Sequence, residues 1–426
     1  MILNTFPLFR VKRSTLAIIL FNFMPIAYLL PRKIALYNIN ISWVEIICWI
    51  ALIFLSKNMG KVRGLIIWTL LLVWVTIISN MIGIAYDNVD FNIRNFSIVK
   101  YVLTYIGAIL IGLHLPTKEL FNNRTSYLCL LILVIMIAIA VLDPLRGELL
   151  ANFYGQEKRI DAGLRVTFFD VNPNMIGQVA IVLSILSIVK YEKYKTQILL
   201  VLFMATIGFI GTQSRGNLVV LALFLLIYRF DYNRSKDLIG RLKKYLILLS
   251  PLVLAFFITS IMDISTSRVQ KIGSGITERF DVFSTSISDF FISPIIGLGY
   301  RAAKGIGGIP IDYTNTTAVE VHSQWLGFLF NHGIIGLFVL SGFCLYIGRN
   351  LIRLYNIHNS NIDQFELLKL RNFLLSMYIC YLVSMVGWET LYLPLYSSVF
   401  FIIFGKIFGI KNELLKSKLI REDCAR

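Results

Sequence analysis

Hydrophobic residues in this chain come in long uninterrupted runs separated by short polar intervals. Windows of about 20 residues with few charges, the length that crosses a ~30 Å hydrocarbon core as a helix, fall at 14–30, 41–55, 64–85, 97–113, 127–142, 174–189, 196–212, 215–228, 245–262, 321–347, 369–387 and 391–409. The pattern predicts an all-α integral membrane protein of about twelve transmembrane helices, a single polytopic domain over 1–426 with no internal repeat. Two polar intervals stand out, 143–173 and 263–320. The second, between helices nine and ten, is the longest stretch without a bilayer-length run, and it carries Arg268, Lys271, Arg279, Arg301 and Lys304.

Positive charge sets the orientation. With the N-terminus inside, segments assigned to the cytoplasm carry 27 of the 41 Lys and Arg residues, outer segments carry 13, and Lys100 lies within a span. This bias predicts that both termini are cytoplasmic and that both long loops face outward. Composition agrees: 57% hydrophobic residues, 15% charged and a mean hydropathy of +0.73 belong to a membrane protein. The net charge of +17 is broken into short clusters between apolar runs and comes with no nucleic-acid motif, so no nucleic-acid partner is expected. None of the five cysteines falls in a long outer loop, which argues against a disulfide framework. Arg10, Lys12 and Arg13 precede the first apolar run as in a signal peptide, but no small-x-small cleavage site follows before Pro31; it reads as an uncleaved span.

Candidate chemistry gathers on the outer side. Gly211-Thr212-Gln213-Ser214-Arg215-Gly216 joins the seventh and eighth spans. Arg215 stands roughly 21 Å up a helix counted from Tyr228, short of a ~30 Å core, and so lies within the bundle. A guanidinium at that depth marks a functional site or pairs structurally with a carboxylate such as Asp170. Ile276, Phe280, Phe283, Ile287 and Phe290, spaced 4, 3, 4, 3 before Pro294, predict an amphipathic helix in the outer loop, with Arg279 at the edge of its apolar stripe. Arg279 either points toward the bundle or snorkels over apolar surface. Val321-His322-Ser323-Gln324 opens the tenth span, where a neutral His322 can take a proton from a hydroxyl. His332, ten residues on, reads as a structural contact. Gly297-Leu298-Gly299 and Gly305-Ile306-Gly307-Gly308 lack the strand and helix of a dinucleotide fingerprint, leaving loop flexibility or close backbone approach. Asp170-Val171-Asn172-Pro173-Asn174 carries N-capping chemistry at the start of span six. The outer carboxylates show no metal-ligand spacing.

Taken in order, Asp170 to Asn174, Gln213-Ser214-Arg215-Gly216, Glu278-Arg279-Phe280, Pro294-Ile295-Ile296-Gly297-Leu298-Gly299, and His322-Ser323 with Gly333-Ile334-Ile335-Gly336 resemble the O-antigen ligase and O-antigen polymerase superfamily over roughly 165–345. The resemblance implies a bacterial inner-membrane glycosyltransferase, active on the periplasmic side, that needs no metal or cofactor. It moves a glycan from undecaprenyl diphosphate to an acceptor hydroxyl. Arg215 and Arg279 correspond to the family's diphosphate-binding arginines and His322 to its proposed general base. Gln213, Arg301, Asp170 and Asn174 complete the expected substrate-binding set. Ser323 stands where the family often has Asn. The implied partners are the lipid-linked donor, a glycan or lipid A-core acceptor, a chain-length regulator and the surrounding lipids. Polymerase is the preferred activity and ligase the alternative; a lipid-linked oligosaccharide flippase or transporter is the reading from another class, and it predicts ionisable residues spread through many spans.

Overall fold

The computed structural model describes residues 12–27, 34–36, 39–85, 97–121, 123–142, 173–188, 199–203, 205, 215–229, 287, 290–299, 323–356, 364–387, 391 and 396–410. They form an α-helical protein with apolar helices able to cross a membrane. Its helices are α1 (Arg13–Ala27), α2 (Trp43–Leu55), α3 (Arg63–Ala85), α4 (Ser97–His114), α5 (Asn123–Leu142), α6 (Pro173–Ile188), α7 (Arg215–Arg229), α8 (Gln324–Asn356), α9 (Gln364–Gly387) and α10 (Tyr396–Ile410). Each coincides with an apolar run of the sequence. Residues 199–203 cover part of the expected seventh span, and the ninth, 245–262, lies outside the described residues.

The helical class matches the sequence expectation, with one short addition: β1 (Ile34–Leu36) and β2 (Ile39–Ile41) pair antiparallel, Ile34 opposite Ile41, before α2 begins. The stretch is rich in isoleucine, and β-branched residues fit a pleated strand better than a helical turn. The expected cytoplasmic loop between the second and third spans is instead a 3-10 turn, Ser56–Val62, which makes Trp43–Ala85 one helical stretch of 43 residues. That stretch and Gln324–Leu354 are the two among the described residues that are long and apolar enough to cross a membrane. Val99–His114 and Thr117–Ile135 pass the same test together, across a bend of 114°.

Packing closes the helices into a ring. α1 lies against α2, α4 and α5; the series then runs α5–α6–α7–α9–α8–α3 and returns to α4, which also packs along α2. α10 is enclosed, with every residue from 396 to 410 buried. Tyr105 of α4 stacks on Phe401 at 4.2 Å, Phe343 and Tyr346 of α8 stack on Phe401 and Phe408, and Tyr381 of α9 packs against Phe400 and Phe404. Apart from Ser397, Ser398 and Lys406, whose Nζ donates to the Leu115 carbonyl at 2.7 Å, α10 is apolar around its circumference, which suits the centre. Glycine lets α4 and α10 meet backbone to backbone, since a Cβ at Gly112 would stand 1.8 Å from the Ile402 carbonyl oxygen and one at Gly405 2.1 Å from that of Ile109.

Polar side chains within the spans are largely turned back on their own helices. Thr69, Thr76, Ser184 and Ser384 each donate to the carbonyl four residues earlier, at 2.7–2.9 Å. This satisfies a hydroxyl where water is absent. One ion pair crosses between helices at their expected outer ends, Lys100 Nζ of α4 to buried Glu45 Oε1 of α2 at 3.0 Å. Glu45 also completes a capping box with Ser42: its Oε2 accepts from the Ser42 N–H at 2.5 Å, and Ser42 Oγ accepts from the Glu45 N–H.

Candidate functional site

The start of α8 is built around a serine cap. Ser323 precedes the first helical residue, its Oγ accepts from the Leu326 N–H at 3.5 Å, and its carbonyl accepts from the Gly327 N–H at 2.8 Å. Serine and asparagine are both strong N-caps, so a serine at the position where the resemblance often has Asn still caps the helix. His322 itself lies outside the described residues, immediately before the cap.

Gln324 follows, fully buried, and its Oε1 accepts from the Leu391 N–H at 2.8 Å. The carbonyl of the same Leu391 accepts from the Tyr105 hydroxyl at 2.6 Å. Leu391 belongs to the connection between α9 and α10, so α4 and α8 grip that connection from its two sides. Just beyond it, Tyr396 of α10 and Ser384 of α9 share a hydroxyl contact of 2.5 Å.

Nine residues into α8 the helix is broken. Gly333 has φ +64° and ψ −167°, which an L-residue with a side chain resists. The break strands peptide groups on both sides of it, and the stretch from Ser293 to Gly299 supplies their partners. Ile334 and Ile335 N–H donate to the carbonyls of Pro294 and Ile295 at 2.9 and 3.0 Å, while the Asn331 carbonyl accepts from the Gly299 N–H at 2.8 Å. The approach leaves no room for side chains: a Cβ at Gly297 would sit 2.3 Å from the Asn331 oxygen and one at Gly333 2.4 Å from the Ile295 oxygen. Of the two sequence readings of Gly297-Leu298-Gly299, close backbone approach is the one realised.

α3 closes the other side of this splice. Ser79 Oγ lies 2.6 Å from His332 Nδ1, and the backbone and side chain of Asn80 crowd Gly299. His332 is therefore a buried helix-to-helix contact, packed edge-on to Phe328 at 4.7 Å. Phe290, the last member of the predicted amphipathic stripe, packs on Phe330 with centroids 6.3 Å apart, and Pro294 ends the helical turn as expected. Ile276, Phe280 and Phe283 lie outside the described residues.

Of the expected site residues, Arg215 is the first residue of α7 and Asn174 the second of α6, and these two helices pack together. Buried Gln178 and Asn217 lie close by in sequence, four residues beyond Asn174 and two beyond Arg215. Asp170, Gln213, Arg279, Arg301 and His322 are outside the described residues. The sequence reading assigned no role to Ser79, Asn80, Tyr105 or Gln324. Ser79-Asn80 and Gln324 were detectable as polar residues inside apolar runs, but Tyr105 gave no signal, because its role depends on a partner 286 residues away.

Comparison with known proteins gives one family: residues 199–341 match the O-antigen ligase family. The match supports the resemblance to the O-antigen ligase and polymerase superfamily. It encloses Gln213, Arg215, Arg279, Arg301, His322 and both sides of the splice, and leaves Asp170 and Asn174 outside. No curated protein matches the chain.

Proposed function

We propose that this chain, which carries an O-antigen ligase domain over residues 199–341, is an inverting, metal-independent glycosyltransferase of the bacterial inner membrane that polymerises undecaprenyl-diphosphate-linked repeat units on the periplasmic side. The observation that carries the reading is that one matched segment holds the two arginines, the histidine and the glycine-rich stretch that is hydrogen-bonded into α8 beside the cap following His322.

The chemistry assigned to these residues is as follows. The donor diphosphate binds beneath the 263–320 loop, with Arg215 at the start of α7 and Arg279 on its oxygens and with Gln213, Arg301, Asp170 and Asn174 lining the same mouth. The acceptor hydroxyl attacks the anomeric carbon from the opposite face as His322 takes its proton. The carbon–oxygen bond to the diphosphate breaks, and its electron pair leaves with undecaprenyl diphosphate. Negative charge grows on that leaving group, and planar guanidiniums meet phosphate oxygens in pairs, an advantage that increases away from bulk water. The amide N–H groups that open α7 favour an anion in the same place. A chain-length regulator is the expected further partner.

Surface-polysaccharide gels of a strain deleted for this gene test the assignment. Lipid A-core bearing a single repeat unit identifies a polymerase. The family's description favours ligase as the second reading, and that reading predicts uncapped lipid A-core with lipid-linked polymer accumulating. Complementation with Arg215→Ala should leave the deletion profile unchanged, with the protein present in the membrane. Full activity of Arg215→Ala would remove the diphosphate role.

A further inference from the structure

Gln324 is the first residue of α8, one position after the Ser323 cap and two after His322, and its side chain is fully buried. Half of its chemistry is explained, because Oε1 accepts from the Leu391 N–H at 2.8 Å. The other half is not, because Nε2 finds no hydrogen-bond partner among the described residues. A carboxylate would serve Leu391 equally well, and a donor left unmade in a buried site costs free energy. The amide nitrogen offers two N–H groups without adding charge, which suits a site where an anionic diphosphate leaves. Sugar hydroxyl and ring oxygens are acceptors of the matching kind.

Building on the glycosyl-transfer reading above, we propose that Gln324 is an acceptor-binding residue: Nε2 donates to an oxygen of the incoming glycan and holds that sugar beside His322, while Oε1 keeps the amide in place through Leu391. Tyr105 acts on the same connection but offers the glycan nothing. Its hydroxyl is spent on the Leu391 carbonyl at 2.6 Å.

Three variants separate the two halves of the side chain. Gln324→Glu keeps an acceptor for Leu391 and loses the donor; Gln324→Met loses both without introducing charge; Tyr105→Phe loosens Leu391 from the other side only. Each is purified in detergent. Transfer is followed with lipid-linked repeat units extracted from a strain lacking this gene, and donor-site integrity with binding of undecaprenyl diphosphate. The expected result is a fall in transfer of about tenfold or more for both Gln324 variants, against threefold or less for Tyr105→Phe. Undecaprenyl diphosphate should bind Gln324→Met and Tyr105→Phe as it binds the parent protein. Parental transfer by Gln324→Glu, or equal loss in Gln324→Met and Tyr105→Phe, would overturn the acceptor role. So would loss of undecaprenyl diphosphate binding by Gln324→Met in proportion to its loss of transfer. Arg215→Ala is measured alongside and should lose undecaprenyl diphosphate binding. If it binds normally and still transfers, the parent reading fails and the role of Gln324 falls with it.

Discussion

At Gly333 a methyl group would stand 2.4 Å from a carbonyl oxygen in a backbone whose φ is +64°. Positive φ with extended ψ, a region essentially reserved for glycine, alone costs a residue with a side chain about 1–3 kcal/mol, and the contact adds to it because the Ile295 carbonyl belongs to the backbone and cannot rotate away. Gly333→Ala should therefore lower the thermal midpoint in detergent by several degrees, whereas Gly60→Ala, where nothing lies within 4 Å of the added carbon, should leave it within a degree or two. Ser323 offers a second test at this scale. Ser323→Asn should keep both stability and the surface-polysaccharide profile, while Ser323→Ala should cost about 1 kcal/mol through loss of the cap. The cap was legible in the sequence as a serine opening an apolar run. The break at Gly333 was not, because glycine within a helical pattern is ordinarily tolerated and the partner that makes a break affordable is some 35 residues away in the chain.

Between elements, α4 and α10 approach closely through glycine. Cβ atoms would approach backbone to 1.8 Å at Gly112 but only to 2.9 Å at Gly409. Gly112→Ala should consequently reduce the folded yield in membranes far more than Gly409→Ala, by fluorescence-detected size-exclusion chromatography. Hydrophobic runs located these helices well because lipid demands about 20 apolar residues whatever the neighbours are. They could not say which helix is central, because in a membrane the lipid-facing and core-facing sides are equally apolar and periodicity loses its meaning. The signal that remained was Gly405-x-x-x-Gly409, a small-residue spacing that marks close approach. The capping box Ser42-Trp43-Val44-Glu45 was a second, and it accounts for a buried glutamate that charge patterning alone leaves unexplained.

For the molecule as a whole, the expectation of twelve spans with both ends inside rests on the charge bias between loops. In a background without the native cysteines, Lys57→Cys on the 3-10 turn after α2 should react with a membrane-impermeant maleimide only in inside-out vesicles, and Thr314→Cys only in intact spheroplasts. Reversed labelling would invert the topology and carry the proposed site to the cytoplasm. The sequence offered an arginine at depth, a histidine at a helix start and a glycine-rich stretch, each for its own physical reason, and of these the described residues show the last, hydrogen-bonded into α8. How they are held was not readable, because Tyr105, Leu391, Ser79 and Asn80 contribute through contacts that span most of the chain.

The splice at Gly333 has a bearing on how such proteins diversify. Gly299 is fastened to Asn331, and Ser323 caps the same helix eight residues earlier, so the described positions that flank 300–322 stand roughly two turns apart along α8. A connection between ends so placed can lengthen cheaply, because doubling its length costs only about 0.6 kcal/mol in closure entropy.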